Sequence, residues 1–308
     1  MKKTRVVFFG NSAFSVTILD ALVRADFDIV AVIASPDEPS GRGHALTAPP
    51  VALYAKDRAI PLVQAKRVAN NDVPACDLGI IASYGHIIPN DILDIPTHGT
   101  LNVHPSLLPH YRGPTPIQTA LANGDDTTGI TIMLTDKEVD HGPLIAQEQV
   151  AIDDTDDALT LEEKLAQRSA DLLVCAIPLW IKGTIQAREQ NHTAATFTKM
   201  LTKESGHIDW NQPAQNIINA VRAYKAWPTC WNILGGKNFK ILEALITDIP
   251  RTENETPGDL VTRDKQVYAV AQDFLIHLKT IQPSGSKPMA GSAFLAGLRE
   301  DTANLKLL

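Results

Sequence analysis

The sequence predicts an α/β protein: an N-terminal Rossmann-like domain with a mostly parallel sheet, then a smaller C-terminal β-barrel domain of the OB type. Two observations predict this fold class. From Arg5 to about residue 140, short apolar β-branched runs alternate with helical patterns, as in a parallel sheet with crossover helices. After Trp227, short strand-like segments are separated by Gly and Pro turns, as in a small antiparallel barrel.

The first elements follow from local pattern. Val6 to Phe9 and Ile29 to Ile33 predict buried strands, and Ser15 to Ala25 predicts the helix between them. The turn after the first strand has one glycine where the dinucleotide phosphate fingerprint needs three, so the pattern does not favour NAD binding. Ser12 or Asn11 is expected to cap the helix instead.

The next segments place a ligand site. Residues 35–50 hold four prolines and two glycines and predict a long surface loop. Leu78 to Ile81 and Thr100 to Val103 predict further strands, and the proline-bounded Ser106 to Pro109 predicts a turn after the second of them. Since ligands bind at the carboxyl ends of parallel strands, we expect a site beside this turn.

The remaining chain predicts a linker and a second domain. The acidic stretch at residues 152–157 favours the start of a helix, residues 183–206 are polar and aperiodic, and Ala214 to Ala223 again has a helical pattern. Trp210, Trp227 and Trp231 are expected in the core of the second domain. We expect three parts: residues 1–189 as the catalytic domain, 190–207 as the linker and 208–308 as the C-terminal domain.

Composition narrows the class of protein. The net charge of -7 disfavours binding of nucleic acid through bulk electrostatics, so a nucleic-acid partner would need a local basic face. The residues that could form such a face are Lys225, Lys237, Lys240 and Lys287. The alternative is that these four are scattered surface lysines. The three cysteines have no CxxC spacing, which disfavours disulfides and thiolate zinc sites. No apolar run approaches the ~20 residues of a membrane span, and the apolar run near the N-terminus is too short for an export signal. We expect a monomer in the cytoplasm.

Three polar residues have the chemistry of an acyl-transfer site. Asn102 can donate a hydrogen bond to a developing oxyanion, and His104 can shuttle a proton near neutral pH. Asp140 can orient His104 and keep it charged. We predict that Asn102 and protonated His104 stabilise the oxyanion while Asp140 helps to relay the proton. Singly, each residue has a structural alternative: a strand-end cap, a hydrogen-bonded histidine and a turn residue.

A family resemblance rests on motifs around these residues. They are Val6-Val7-Phe8-Phe9-Gly10, the loop Pro36 to Gly43, Tyr84-Gly85-His86-Ile87-Ile88-Pro89, Asn102 to Pro109, Arg112-Gly113, Asp140-His141-Gly142, Ile208-Asp209-Trp210 and Trp227-Pro228. Together they resemble the folate-dependent formyltransferases along nearly the whole chain. The resemblance implies the same roles for Asn102, His104 and Asp140. His141 departs from the small residue that the family usually has there.

The resemblance also implies the substrates. The formyl donor would be 10-formyltetrahydrofolate, with no metal, in a pocket lined by Ser106, Leu107, Leu108, Pro109, Tyr84, Gly85 and Ile88. Tyr84 could equally be a core residue. The acceptor would be the α-amino group of methionine on initiator tRNA, because members that act on this tRNA have an inserted Gly-Arg-Gly loop, and Arg42 matches its arginine. His44-Ala45 departs from the basic pair common in that loop.

Several alternatives stay open. The chain could formylate an amino sugar or another small amine, or it could bind tRNA on a scaffold that has lost catalysis. A metal-dependent hydrolase is a further alternative, because several histidines are close to the predicted site in sequence: His86, His98, His104, His110 and His141. Their spacing lacks an HExxH pattern, which disfavours it. Arg112 could meet an anionic substrate group or anchor its loop through backbone carbonyls.

Overall fold

The computed structural model describes residues 3–40, 45–297 and 305–308. The chain divides into two compact units. The first comprises residues 1–116, 127–151 and 161–199, and the second residues 117–126, 152–160 and 200–308. The predicted boundaries at residues 189 and 207 remain a prediction.

A seven-stranded sheet forms the centre of the first unit. With strands numbered in chain order, the spatial order is β5 (Leu62–Gln64), β2 (Asp28–Ala34), β1 (Arg5–Gly10), β6 (Leu78–Ala82), β7 (Thr100–His104), β8 (Thr127–Leu134) and β9 (Leu144–Ala151). The first five strands in this order, from β5 to β7, are parallel. β8 runs antiparallel to β7, and β9 runs antiparallel to β8. The predicted fold class of the first domain is confirmed.

The parallel strands are apolar because both faces of the sheet are covered. Val6, Val7 and Phe8 in β1 are fully buried, as continuous apolar runs predict for a sheet flanked by helices. The helices of the chain are α1 (Ala13–Arg24), α2 (Pro50–Asp57), α3 (Asn90–Leu93), α4 (Pro116–Asn123), α5 (Ala158–Ile181), α6 (Ala214–Ala223) and α7 (Gly291–Gly297), with single 3-10 turns at Asn70–Asp72, His192–Ala194 and Lys203–Gly206.

Local capping follows the sequence. Ser12 is the N-cap of α1 and forms a capping box with Ser15, which confirms one of the two predicted caps. Asp157 Oδ1 accepts hydrogen bonds from the backbone of Leu159 and Thr160 at the start of α5, so this part of the acidic stretch caps a helix.

The predicted loop at residues 35–50 is in part a hairpin. β3 (Glu38–Ser40) pairs antiparallel with β4 (Ala45–Thr47), with Pro39 opposite Leu46. Strands of three residues are too short for an alternating pattern to reveal them, and they form here because the chain turns back on itself. Arg42, predicted to contact tRNA, lies outside the described residues, as does His44.

The second unit contains the predicted antiparallel sheet. Its strands lie in the order β10 (Cys230–Leu234), β11 (Lys237–Pro250), β14 (Phe274–Pro283), β13 (Gln266–Val270) and β12 (Leu260–Arg263), and β15 (Met289–Ala290) also pairs with β14. The core beneath it includes Trp210, Phe239 and Ile276, together with the apolar face of α6. Both domains therefore have the predicted class of fold.

One prediction for the second domain is wrong. Trp210 is buried in the core, but Trp227 is 54% exposed. Trp231 is half-buried, and its indole donates to the Lys203 carbonyl at 2.9 Å. The size and apolar character of a tryptophan favour burial, but the exposure of Trp227 depends on the path of the loop that carries it.

The cysteines are all free thiols. Cys76 and Cys230 are buried and Cys175 is exposed. Burial raises the pKa of Cys76 to about 11 and that of Cys230 to about 12, so both buried thiols stay protonated near neutral pH. Within the described ranges, none of the helices combines the length and hydrophobicity needed to cross a bilayer.

Candidate functional site

Strand β7 presents the first two polar groups of the site. Asn102 and His104 are two residues apart on a strand, so their side chains point to the same face of the sheet, and Val103 points to the other. Asn102 is half-buried and His104 is 4% exposed. β7 pairs with parallel β6 on one side and antiparallel β8 on the other, so both edges of its backbone are held.

The turn after β7 is fixed by buried hydrogen bonds. The Leu108 amide donates to Thr131 Oγ1 at 3.0 Å, and Thr131 Oγ1 donates to the Ser106 carbonyl at 2.7 Å. Ser106 Oγ donates to the His110 carbonyl at 2.6 Å, and Gln147 Nε2 donates to the Leu108 carbonyl at 2.8 Å. The predicted turn over Ser106 to Pro109 is thus confirmed, and four hydrogen bonds hold it in place.

The loop between β8 and β9, residues 135–143, brings in the carboxylate. Asp140 has a φ of 51°, in the left-handed region that few non-glycine residues adopt. Gly142 is required because a Cβ there would lie 1.9 Å from the Leu134 carbonyl oxygen. The Leu134 amide donates to the Pro143 carbonyl at 2.9 Å and closes the base of the loop.

The structure brings Asn102, His104 and Asp140 together. Asn102 Nδ2 donates to Asp140 Oδ1 at 3.1 Å, and His104 Nδ1 lies 3.5 Å from the same oxygen. The Gly113 amide donates to Asp140 Oδ2 at 2.8 Å. His104 Nε2 lies 2.9 Å from the Tyr111 carbonyl oxygen, which can only accept, so Nε2 is the donor.

This arrangement can stabilise charge in a largely dry environment. The side chains of His104 and Asp140 are only 6% and 10% exposed, so electrostatic interactions here are screened much less than in water. Each oxygen of the Asp140 carboxylate faces a hydrogen-bond donor. Because His104 Nε2 is bonded to the Tyr111 carbonyl, a proton on His104 Nδ1 would face the Asp140 carboxylate. The site thus offers an amide donor, an imidazole and an acceptor for its proton within one cluster.

Loops after the neighbouring strands β1, β2 and β6 meet at the same edge of the sheet. The Asn11 side chain donates to the Tyr84 carbonyl and accepts from the Ser35 amide at 2.8 Å, and Ser35 Oγ lies 2.8 Å from His86 Nε2. Asn11 therefore joins three loops, while Ser12 performs the capping. Gly85, with a φ of 78°, is exposed within this group of loops.

Among the residues predicted to bind folate, Tyr84 and Ile88 lie in the core. Tyr84 is 3% exposed and packs edge-on against Phe9, and its hydroxyl has no hydrogen-bond partner among the described residues. Burial, together with the charge of Asp72, raises the pKa of this hydroxyl. Leu108 is also buried, whereas Leu107 and Pro109 are half-buried.

Arg112 is buried and anchors its loop. It is 4% exposed, and its Nε and Nη2 donate to Gln190 Oε1 at 3.2 and 2.7 Å. Nη2 also lies 2.8 Å from His192 Nδ1. Of the two readings from sequence, the structure supports the anchor, although the partners are side chains on the segment after α5. Sequence reasoning missed Gln190 because that segment reads as a polar linker.

The other histidines do not join the cluster of Asn102, His104 and Asp140. His98 precedes β7 and so lies at the opposite edge of the sheet, and His110 is exposed. His141 Nδ1 lies 2.7 Å from Asp136 Oδ2, and its ring stacks on His192 with centroids 4.0 Å apart. Among the described residues, no three His, Cys, Asp or Glu side chains gather where they could hold a metal ion.

The candidate basic residues of the second domain differ in their surroundings. Lys237 and Lys287 are exposed and Lys240 is half-buried. Lys225 Nζ lies 3.7 Å from Asp157, so part of its charge is neutralised locally.

Both the N-terminal and the C-terminal part of the chain match known family models. Residues 3–177 match the model of the formyl transferase family, and residues 200–299 match that of the formyl transferase C-terminal domain. The chain is 39% identical over 309 aligned residues to the methionyl-tRNA formyltransferase of Chloroflexus aurantiacus, covering 98% of this chain and 99% of the relative. It is 38% identical to the methionyl-tRNA formyltransferase of Listeria welshimeri, covering 96% of each.

Solved structures share the fold at lower identity. The N-formyltransferase from Helicobacter canadensis, solved with folinic acid and dTDP-3-aminofucose, superposes with a TM-score of 0.67 at 18% identity, covering 92% of this chain and all of that one. HypX from Aquifex aeolicus with tetrahydrofolic acid gives a TM-score of 0.66 at 17% identity, covering 97% of this chain. The chain spans about half the length of HypX (49%).

Proposed function

Because this chain belongs to the formyl transferase family, we propose that it transfers the formyl group of 10-formyltetrahydrofolate to the α-amino group of methionine on initiator tRNA. The observation that carries the proposal is the match to relatives named methionyl-tRNA formyltransferase, which extends over 98% of this chain at 39% identity. It includes the second domain, where residues 200–299 match the C-terminal domain of the family.

In the proposed reaction, the neutral amine attacks the formyl carbon and forms a tetrahedral oxyanion. The bond from that carbon to N10 of the folate then breaks, and a proton passes from the new ammonium to N10. Asn102 supports the oxyanion, because Nδ2 has two hydrogens and uses one on Asp140. His104 holds its ring to Tyr111 through Nε2, so Nδ1 is the atom that donates to substrate and exchanges its proton with Asp140.

The loops at the carboxyl edge suit a pterin ring. Within the described part of the chain, a Cβ at Gly85 would meet no atom within 4 Å, and Ile87, two residues later, is 93% exposed, so open apolar space lies beside the strand ends. We propose that Gly85 and the turn from Ser106 to Pro109 contact the ligand chiefly through backbone atoms. The buried side chains of Tyr84, Ile88 and Leu108 support those loops from below.

The acceptor is a tRNA in this proposal, with Arg42 contacting the acceptor end, since an arginine can pair with phosphate. The protein would act as a monomer in the cytoplasm, where charged initiator tRNA and reduced folate are present. A second candidate acceptor is an amino sugar, because the structural likeness to the Helicobacter canadensis enzyme covers 92% of this chain. The lower identity, 18% against 39%, makes it the weaker candidate.

The test is a transfer assay with radiolabelled 10-formyltetrahydrofolate. Methionyl initiator tRNA, uncharged tRNA, methionyl elongator tRNA and a dTDP-linked amino sugar are supplied separately as acceptors. Label on methionyl initiator tRNA alone is the expected result. Transfer only to the amino sugar would favour the second candidate, and tRNA binding without transfer would favour a scaffold that has lost catalysis.

A matched pair of variants tests the site in the same assay. Asp140→Asn keeps the shape of the side chain but removes its charge, and kcat should fall by about 100-fold or more. Asp136→Asn removes a carboxylate from the same loop that faces His141 instead, and kcat should stay within about two-fold of the unsubstituted protein. Equal effects of the two substitutions would contradict the assignment of Asp140.

A further inference from the structure

One buried amide side chain joins the two loops that surround the catalytic cluster. Gln190, which is 5% exposed, donates from Nε2 to the Asp140 carbonyl at 3.0 Å and to the Gly142 carbonyl at 2.7 Å. Its Oε1 accepts from Arg112 Nε and Nη2. Both hydrogens and both lone pairs of the amide are therefore used.

The two loops held by Gln190 are those that orient His104 and Asp140. On one side, Gln190 binds the backbone of the 135–143 loop at Asp140 itself, whose φ of 51° needs external support. On the other side it binds Arg112, and the residues flanking Arg112 supply the Tyr111 carbonyl for His104 and the Gly113 amide for Asp140. A shift of Gln190 would thus disturb both partners of the cluster together.

We propose that Gln190 is a positioning residue for formyl transfer, holding the Asp140 carboxylate against Asn102 and His104 through the backbone of its loop. This inference rests on the proposed function for its kinetic test. Gln190 has no bond to Asn102, His104 or the Asp140 carboxylate, so it acts through Asp140. A fully satisfied buried network of this kind fixes a single arrangement of its members.

The chemistry of the amide distinguishes it from its closest replacement. Glu at position 190 would keep the shape and pair more strongly with the Arg112 guanidinium. It would also place a carboxylate oxygen within about 3 Å of two carbonyl oxygens that need donors, leaving them unpaired in a buried place. Gln190→Glu therefore keeps the Arg112 contact and removes the hold on Asp140.

The matched control is Gln186→Glu. Gln186 lies four residues earlier, is exposed and donates only to the nearby Gly183 carbonyl among the described contacts. For Gln190→Glu we expect kcat to fall about 100-fold, as for a catalytic group displaced by ~1 Å, with KM for both substrates within about three-fold. The melting temperature and circular dichroism should show an intact fold, and Gln186→Glu should leave kcat unchanged. An unchanged kcat in Gln190→Glu would overturn the proposal.

A double substitution shows whether Gln190 acts through Asp140. In the Asp140→Asn background, Gln190→Glu should lower kcat by less than about three-fold, because the carboxylate it positions is already lost. A second full loss of about 100-fold would mean that Gln190 acts elsewhere and would refute the positioning role.

Hydrogen–deuterium exchange of the substrate-free protein separates failure of this inference from failure of the proposed function. Gln190→Glu should speed exchange of the 135–143 peptide at least about ten-fold, and Gln186→Glu should not. If the unsubstituted protein fails to formylate tRNA, faster exchange in this peptide still supports the hold on Asp140, and unchanged exchange overturns it.

Discussion

Gly142 lies two residues after Asp140, and no side chain fits at this position. A Cβ built on Gly142 would lie 1.9 Å from the Leu134 carbonyl oxygen, against 3.4 Å for the start of ordinary contact. The φ of Gly142 is not positive, so the effect of Gly142→Ala is steric. The substitution tests whether the position of the Asp140 loop sets the rate.

The size of the displacement follows from those two distances. To relieve the contact, the atoms must separate by 3.4 − 1.9 = 1.5 Å. Leu134 is the last residue of β8 and pairs with Leu101 in the sheet, so we expect the 135–143 loop to be the part that moves. A misplacement of ~1 Å typically costs about 100-fold in rate, and overpacking costs about 1–3 kcal/mol of stability. We expect kcat to fall about 100-fold and the melting temperature to fall by a few degrees.

The assay is steady-state formyl transfer to methionyl initiator tRNA, with thermal unfolding measured on the same samples. Gly297→Ala is the control, because a Cβ there meets no atom of the described residues within 4 Å, and it should leave both kcat and melting temperature nearly unchanged. A Gly142→Ala protein with the kcat and melting temperature of the unsubstituted chain would refute the link between loop position and rate.

Three further predictions test the site and the core. His104→Ala should lower kcat at least about 100-fold with the fold intact by circular dichroism. His110→Ala, which changes an exposed histidine on the same turn, should not lower kcat, and equal rates in the two variants would contradict the mechanism. Arg42→Ala should raise KM for methionyl-tRNA about ten-fold and leave KM for the folate unchanged, whereas Arg24→Ala should change neither. An equal rise in KM for both substrates in Arg42→Ala would contradict a contact of Arg42 with tRNA. Burial raises the pKa of Cys230 from 9.0 to about 12, so the stability that this thiol contributes is fully present below pH 9 and falls by about 1.4 kcal/mol per pH unit above it. The free energy of unfolding, measured with urea from pH 8 to 11, should therefore fall less steeply with pH in Cys230→Ala than in the unsubstituted protein. The same dependence on pH in both proteins would contradict this prediction.

The proximity of Asn102, His104 and Asp140, whose catalytic role is a proposal, was predictable in part because two of the three residues carry local signals. Asn102 and His104 share a face by strand periodicity, and the prolines around Ser106 to Pro109 specify a turn. Asp140 was connected to them through family resemblance, since its distance along the chain gives no local indication. The parallel strands and the second-domain sheet followed from continuous apolar runs and from regularly spaced turns.

The parts that the sequence did not reveal depend on long-range contacts. Gln190 binds a residue 78 positions earlier, and nothing in its polar neighbourhood marks it as buried. His98 is close to His104 in sequence but lies at the other end of the same strand, because a five-residue strand carries the chain across the sheet. The β3–β4 hairpin and the exposed Trp227 likewise depend on how loops close.

Gln190 holds the 135–143 loop by the carbonyls of Asp140 and Gly142, and the side chain of residue 141 lies outside the cluster of Asn102, His104 and Asp140. His141 turns to Asp136 and lies flat on His192, so the departure from the small residue usual in the family is absorbed by a neighbouring imidazole. We therefore expect substitutions at position 141 to be tolerated better than substitutions at positions 140 and 142. Where position 141 has changed in other lineages, position 192 should be the one that has changed with it.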